Sequence, residues 1–175
     1  MEKNNRIIGR IEECERLDRC MRSDSSQLVV VYGRRRVGKT FLINEYFNYK
    51  FAFKLTGVYG EKRKIQLRNF ALELNRRSGV KQEDPKDWTE AFSYLRSYME
   101  SLDSSVKQVV FLDELPWLDS KRSGFLSAFE YFWNDYASTK HNFIFVLCGS
   151  ATSWMDEKIT KNIGGLFNRQ TCRLY

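Results

Sequence analysis

The sequence predicts an α/β protein whose strands run parallel and are covered by helices on both faces, and three stretches carry that prediction. Residues 28–31, 109–112 and 143–148 are continuous apolar runs, unlike the alternating runs of a half-exposed sheet. Each ends in glycine or polar residues, and helix-period sequence then follows. The first run leads into Gly33-Arg34-Arg35-Arg36-Val37-Gly38-Lys39-Thr40, which fits the phosphate-binding pattern of glycine, four residues, Gly-Lys-Ser/Thr. A strand before and a helix after give the motif its specificity, because backbone N–H groups converge on phosphate oxygens only in that setting.

At 175 residues the chain suits one domain, large enough to bury a core without disulfides or metals. Its apolar share of 42% and aromatic share of 15% point to a globular protein rather than a disordered one. No apolar run approaches the ~20 residues of a membrane span. The start, Met1-Glu2-Lys3-Asn4-Asn5, lacks a secretory apolar region, so a soluble, cytoplasmic protein is expected. Cys14, Cys20, Cys148 and Cys172 show no Cys-x-x-Cys spacing and His141 is the only histidine, which argues against zinc and for reduced, buried thiols. With 29 basic and 22 acidic residues the formal charge is +7, which allows attraction to phosphates or nucleic acid without demonstrating it.

In chain order, residues 11–21 read as a short amphipathic helix with Ile11, Cys14, Leu17 and Met21 on one face. The preceding pair Ile7 and Ile8, just before Gly9-Arg10, suits either an adenine ring or the core. Asp24, Ser25 and Ser26 form a polar turn into the first strand. Beyond the loop, Phe41, Leu42, Ile43, Tyr46 and Phe47 mark a helix, and residues 51–59 read as a second strand ending at Gly57 or Gly60. Residues 61–77 form a helix with Leu67, Phe70, Ala71 and Leu74 inward and Lys62, Arg63, Lys64, Arg68, Arg76 and Arg77 outward. That basic face suits nucleic acid or an acidic protein partner, yet the stronger reading is an ordinary solvated face, because no aromatic residues interleave its charges. Asp84-Pro85 predicts the next helix start, ahead of a core stripe of Trp88, Ala91, Phe92, Leu95, Met99 and Leu102.

The chemistry-bearing residues lie at the carboxyl ends of the apolar runs, where ligands bind in parallel sheets. Gly33 and Gly38 permit the loop's dihedrals, Lys39 is expected at the β/γ-phosphates, and the Thr40 hydroxyl is expected on Mg²⁺. The run ending in Asp113-Glu114 has the Walker B form, with Asp113 assigned to the metal and Glu114 to the attacking water. Ser150, ending the third run, suits either the γ-phosphate or a helix N-cap. Phe125, Phe129, Phe132, Trp133 and Tyr136 mark another helix, and residues 171–175 a final strand.

Taken together, Ile8-Gly9-Arg10 before a helix, the arginine-rich loop from Gly33 to Thr40, Leu112-Asp113-Glu114 and Cys148-Gly149-Ser150 resemble the archaeal and bacterial AAA-type ATPases, near the signal-transduction ATPases with numerous domains. The resemblance implies an ASCE-type P-loop NTPase fold with sheet order 5-1-4-3-2 and ATP and Mg²⁺ as ligands. It implies nucleotide contacts from Ile8, Gly9 and Arg10 beside those of the loop from Gly33 through Arg34, Arg35, Arg36, Val37, Gly38, Lys39 and Thr40 to Phe41. It implies an ATP-hydrolysing switch, with a DNA-associated ATPase or a nucleotide-binding scaffold as alternatives. Glu114 favours hydrolysis, since a site that only binds needs no carboxylate beside the metal-binding Asp113. Family members continue into a helical lid and an effector domain; residues 1–175 are read as the ATPase domain without them, with weak turnover and nucleotide-dependent self-association. Arg169, just before the final strand, stands where such ATPases place an arginine acting on a neighbour's nucleotide, although a surface ion pair with a nearby carboxylate is the plainer explanation.

Overall fold

The three apolar runs become the middle of one parallel sheet. The computed structural model describes residues 7–150, Trp154, Glu157 and residues 172–174. Its strands are β1 (Gln27–Gly33), β2 (Phe53–Thr56), β3 (Gln108–Asp113), β4 (Phe143–Ser150) and β5 (Cys172–Leu174). They lie in the order β2-β3-β4-β1-β5, which is the expected 5-1-4-3-2 read from the other edge. Every pairing is parallel. β4 therefore separates the phosphate-loop strand β1 from β3, and the register brings Gly33 opposite Ser150 and Leu112 opposite Leu147.

The helices are α1 (Ile11–Arg22), α2 (Lys39–Tyr46), α3 (Arg63–Ser78), α4 (Trp88–Glu100), α5 (Leu115–Leu118) and α6 (Phe125–Asp135). The two-residue side-chain period of a strand divides each apolar run between the two faces of the sheet. Leu28, Val30, Val110, Leu112, Phe145 and Leu147 face a core built with α3, α4 and α6. Val29, Val31, Val109, Phe111, Ile144 and Val146 face a second core with Leu17 of α1 and Ile43 of α2. All eight residues of β4 are buried, which explains why its sequence shows no alternation. Aromatic rings dominate the first core: Phe92 lies 5.2 to 6.2 Å from Phe70, Trp88, Phe125, Phe129 and Phe132, centroid to centroid.

Three local expectations change. Ile11 is 70% exposed, and the inward side of α1 is Cys14, Leu17, Cys20 and Met21. A three-residue repeat drifts by about 60° per step around a helix, so two steps carry Ile11 about 120° from Leu17. Helix α4 begins after Asp87, not at Asp84-Pro85. There Asp87 Oδ1 accepts the Glu90 N–H at 2.9 Å while Glu90 Oε2 accepts the Lys86 N–H at 2.7 Å, a reciprocal cap that Asp84 does not make. The second strand spans only Phe53–Thr56; the Gly57 N–H still donates to the Asp113 carbonyl at 2.9 Å, and the chain turns at Tyr59 and Gly60.

All four cysteines are free, and Cys20, Cys148 and Cys172 are buried. Among the described residues no helix is long and apolar enough to cross a membrane. No group of three or more His, Cys, Asp or Glu side chains gathers as a metal cluster among them.

Candidate functional site

The carboxyl ends of β1, β3 and β4 open onto one cleft, because parallel strands release their chains on the same side. After β1 the chain folds back through Arg36 (φ 65°) and Gly38 (φ 83°) into the first turn of α2. Positive φ costs an L-residue energy, and glycine at 38 avoids that cost where the loop meets the helix. Lys39, the first residue of α2, reaches back over the loop, and its Nζ donates to the carbonyls of Gly33 at 3.0 Å and Arg34 at 2.8 Å.

The next residue makes the long-range contact. Thr40 Oγ1 donates to Asp113 Oδ2 at 2.9 Å, joining positions 73 residues apart in the chain. Asp113 is buried, and its Oδ1 accepts the Glu114 N–H at 2.9 Å. The Cys148 thiol lies beside the same carboxylate; burial first, then the Asp113 charge and their hydrogen bond, push its pKa up, so the thiol stays protonated. Glu114 has φ 50° and ψ 48°, left-handed backbone that costs a non-glycine residue about 1–3 kcal/mol. The buried Leu115 and Leu118 on either side of Pro116 and Trp117 anchor α5 and hold that conformation.

These groups line a cavity of about 460 Å³, together with Arg35, Arg36, Gly38, Phe41 and Ser150. That volume lies in the range of small-molecule sites. Arg35, Arg36 and Lys39 are set against Asp113 and Glu114, so the rim is cationic and the floor acidic, an arrangement suited to a polyanion carrying a divalent cation. Ser150 is buried and lies opposite Gly33; the residues that would decide its N-cap role, 151–153, lie outside those described. Arg34 and Val37 are exposed and do not line the cavity; their carbonyls accept hydrogen bonds from Lys39 and Arg10.

Among the described residues, Arg10 links the amino-terminal segment to the loop. Arg10 Nη2 donates to the Val37 carbonyl at 2.7 Å, and its Nη1 pairs with Glu13 at 2.6 Å. Gly9 (φ 72°) and Arg10 (φ 55°) turn the chain into α1, while Ile8 is 93% exposed and Ile7 packs on the second core. Arg169 lies outside the described residues. Cys148 is the cavity residue that sequence reasoning missed; its signal was present, since it stands two residues before Ser150 and so shares a face of β4 with it.

Comparison with known proteins bears on the family and the fold. Residues 8–172 match a family described as an ATPase domain predominantly from Archaea. An uncharacterized protein of Methanocaldococcus jannaschii is 24% identical over 165 residues, which is 94% of this chain and 34% of that protein. A second protein of the same organism, described as an uncharacterized ATP-binding protein, is 44% identical over 44 residues, 25% of this chain and 75% of its own length. Among solved structures, the Walker-type ATPase paby2304 of Pyrococcus abyssi superposes with a TM-score of 0.67 at 20% identity, covering 99% of this chain and 55% of that one. Cdc6p from Pyrobaculum aerophilum gives 0.65 at 14%, covering 98% and 46%. At these identities the two structures speak for the fold, and this chain spans about a third of the first relative and about half of each solved chain.

Proposed function

The chain belongs to the family of ATPase domains found predominantly in Archaea, and from that membership we propose that it is an ATP-binding and ATP-hydrolysing switch module whose site is the cleft between β1, β3 and β4. The observation that carries the proposal is the 2.9 Å contact between Thr40 and Asp113. A hydroxyl from the phosphate loop and a carboxylate from another strand have no structural need to meet beneath a cationic rim, whereas a metal–triphosphate requires both. Residues 1–175 are proposed to form one AAA-type ATPase domain.

Mg²⁺ fits this donor set, because a hydroxyl and a carboxylate are hard oxygen ligands in an open cleft with room for the waters this ion retains. When bound, it supplies positive charge to the β- and γ-phosphate oxygens. The rest falls to the chain's own groups. Backbone N–H groups of the loop and the first turn of α2 donate to the phosphate oxygens, and Lys39 exchanges its loop carbonyls for phosphate oxygens. Arg35 and Arg36 add charge at the rim. Glu114, half-buried at the cavity wall, orients and deprotonates the attacking water, and Ser150 holds that water or the γ-phosphate by hydrogen bonding. Gly9, Arg10 and Ile8 border the loop from the amino-terminal side, where Arg10 fixes the Val37 carbonyl and the exposed Ile8 offers a surface to the base.

Replacing Glu114 with glutamine tests the assignment, since the amide keeps the shape and loses the proton acceptor. Mg-ATP affinity should persist while turnover, read as phosphate release, falls about 10²–10⁴-fold. Equal turnover in mutant and parent would remove Glu114 from the chemistry. A parent that binds ATP without releasing phosphate would make the domain a nucleotide-binding scaffold.

A further inference from the structure

Beside the cleft stands a second group of exposed side chains that hydrolysis does not use. Tyr59, in the turn after β2, is 76% exposed, and its ring meets that of Trp117 in α5 edge to face, centroids 4.6 Å apart at 87°. The pair is held from behind by Gln66 of α3, which is fully buried. Its carboxamide accepts the Val58 N–H at 3.2 Å and donates to the carbonyls of Val58 at 2.8 Å and Trp117 at 3.2 Å. One side chain thus fastens the turn to α5. Gly57 makes the approach possible: a Cβ there would lie 2.5 Å from the Glu114 carbonyl oxygen and 3.0 Å from the Trp117 Cβ. Both rings are therefore positioned before any partner arrives.

The charge around them is mainly basic, although the exposed Glu61 stands between Tyr59 and Lys62. Lys62, Arg63, Lys64 and Arg68 are exposed and make no ion pair among the described residues, whereas Arg76 and Arg77 at the far end of α3 pair with Glu73. On the other side Arg35 of the phosphate loop sits over the Trp117 ring, its guanidinium carbon 5.9 Å from the centroid. No aromatic residue interleaves these charges along α3, but Tyr59 stands three residues before Lys62, and folding sets it against Trp117 of α5. An exposed aromatic ring, here Tyr59 backed by the half-buried Trp117, beside cations is what an unstacked base and its phosphates require. A duplex keeps its base faces covered, and an acidic peptide would engage the charges without the rings.

We propose that this turn binds single-stranded nucleic acid, with a base stacked on Tyr59 and backbone phosphates on Lys62, Arg63 and Lys64. The site is independent of whether Glu114 supports hydrolysis. The test is a titration of the full chain against fluorescein-labelled oligothymidylate and oligouridylate of about 16 nucleotides, read by anisotropy. Measurements at about 50 mM and about 200 mM salt give the salt slope, and an unlabelled duplex and polyglutamate serve as competitors. Single strands of at least one sugar type should bind, and Tyr59→Ala should weaken them about 5- to 150-fold, as loss of one stacked ring does. Tyr59→Phe should bind like the parent. A Lys62→Glu, Lys64→Glu double variant should flatten the log–log salt slope by about 1.4, or ~0.7 for each phosphate contact. Because Tyr59 is exposed, its variants keep the fold, which circular dichroism verifies. Failure of the parent to bind at the lower salt, unchanged affinity in Tyr59→Ala, or equal competition by duplex or polyglutamate would each overturn the proposal.

Discussion

Lys39 shows how much of the site hangs on one side chain. Its ammonium donates to two loop carbonyls and to no core residue, so its removal frees the loop without opening a cavity. Lys39→Ala should therefore keep the parent's circular dichroism and melting transition while losing triphosphate affinity. A charged hydrogen bond is worth about 1.5–3 kcal/mol, so the loss should be at least about tenfold in a titration with a fluorescent ATP analogue. Unchanged affinity in the folded variant would end the phosphate-loop assignment. Asp113 has the opposite character: it is buried and accepts hydrogen bonds from Thr40 and from the Glu114 backbone, so its substitution mixes structural with functional effects.

Among the elements, α4 ties α3 to α6 across the aromatic core. Asp87 and Glu90 cap its start, and Trp88, Ala91, Phe92, Leu95 and Met99 bury its inner face against α3 and α6. Phe92 is the hub, since five aromatic rings surround it within 6.2 Å and truncation would leave a cavity among rigid neighbours that cannot collapse into it. Phe92→Ala should cost about 3–5 kcal/mol, read as a lowered midpoint in urea unfolding. Tyr131, on the outer face of α6 and 65% exposed, supplies the control, with a change to alanine expected within about 0.5 kcal/mol. A loss at Phe92 no larger than at Tyr131 would show that the aromatic layer does not bear the load assigned to it.

For the whole molecule the open question is whether one copy makes a complete site. The described cleft brings Arg35 and Arg36 to its rim from the same chain, and Arg169 is proposed to act on a neighbour's γ-phosphate, where a guanidinium raises rates by about 10³–10⁵. It precedes β5, which pairs with β1 at the edge of the sheet. If Arg169 acts between copies, activity per molecule should rise with protein concentration. A mixture of Arg169→Ala and Lys39→Ala proteins should then recover activity that neither has alone. Flat specific activity, with Arg169→Ala as active as its parent, would leave the residue a structural role.

The parallel sheet, the phosphate loop and the Asp113-Glu114 pair were legible in the sequence, because each depends on neighbours within one strand, turn or helix. The apolar runs 28–31, 109–112 and 143–148 announce strands buried on both faces through their lack of alternation, and the strand order came from the resemblance those motifs carry. The start of α4 was not legible: Asp84-Pro85 reads as the cap by sequence, and only the contacts made in the folded chain single out Asp87 and Glu90. The tertiary structure alone decided the rest. That Thr40 touches Asp113, that the Cys148 thiol lies against the same carboxylate, that Arg10 reaches the Val37 carbonyl, and that Gln66 fastens Tyr59 beside Trp117 all depend on partners distant in sequence. Such contacts follow from how crossovers stack strands and in what register, which is settled by burying both faces of the sheet at once, and no local window of sequence contains that information.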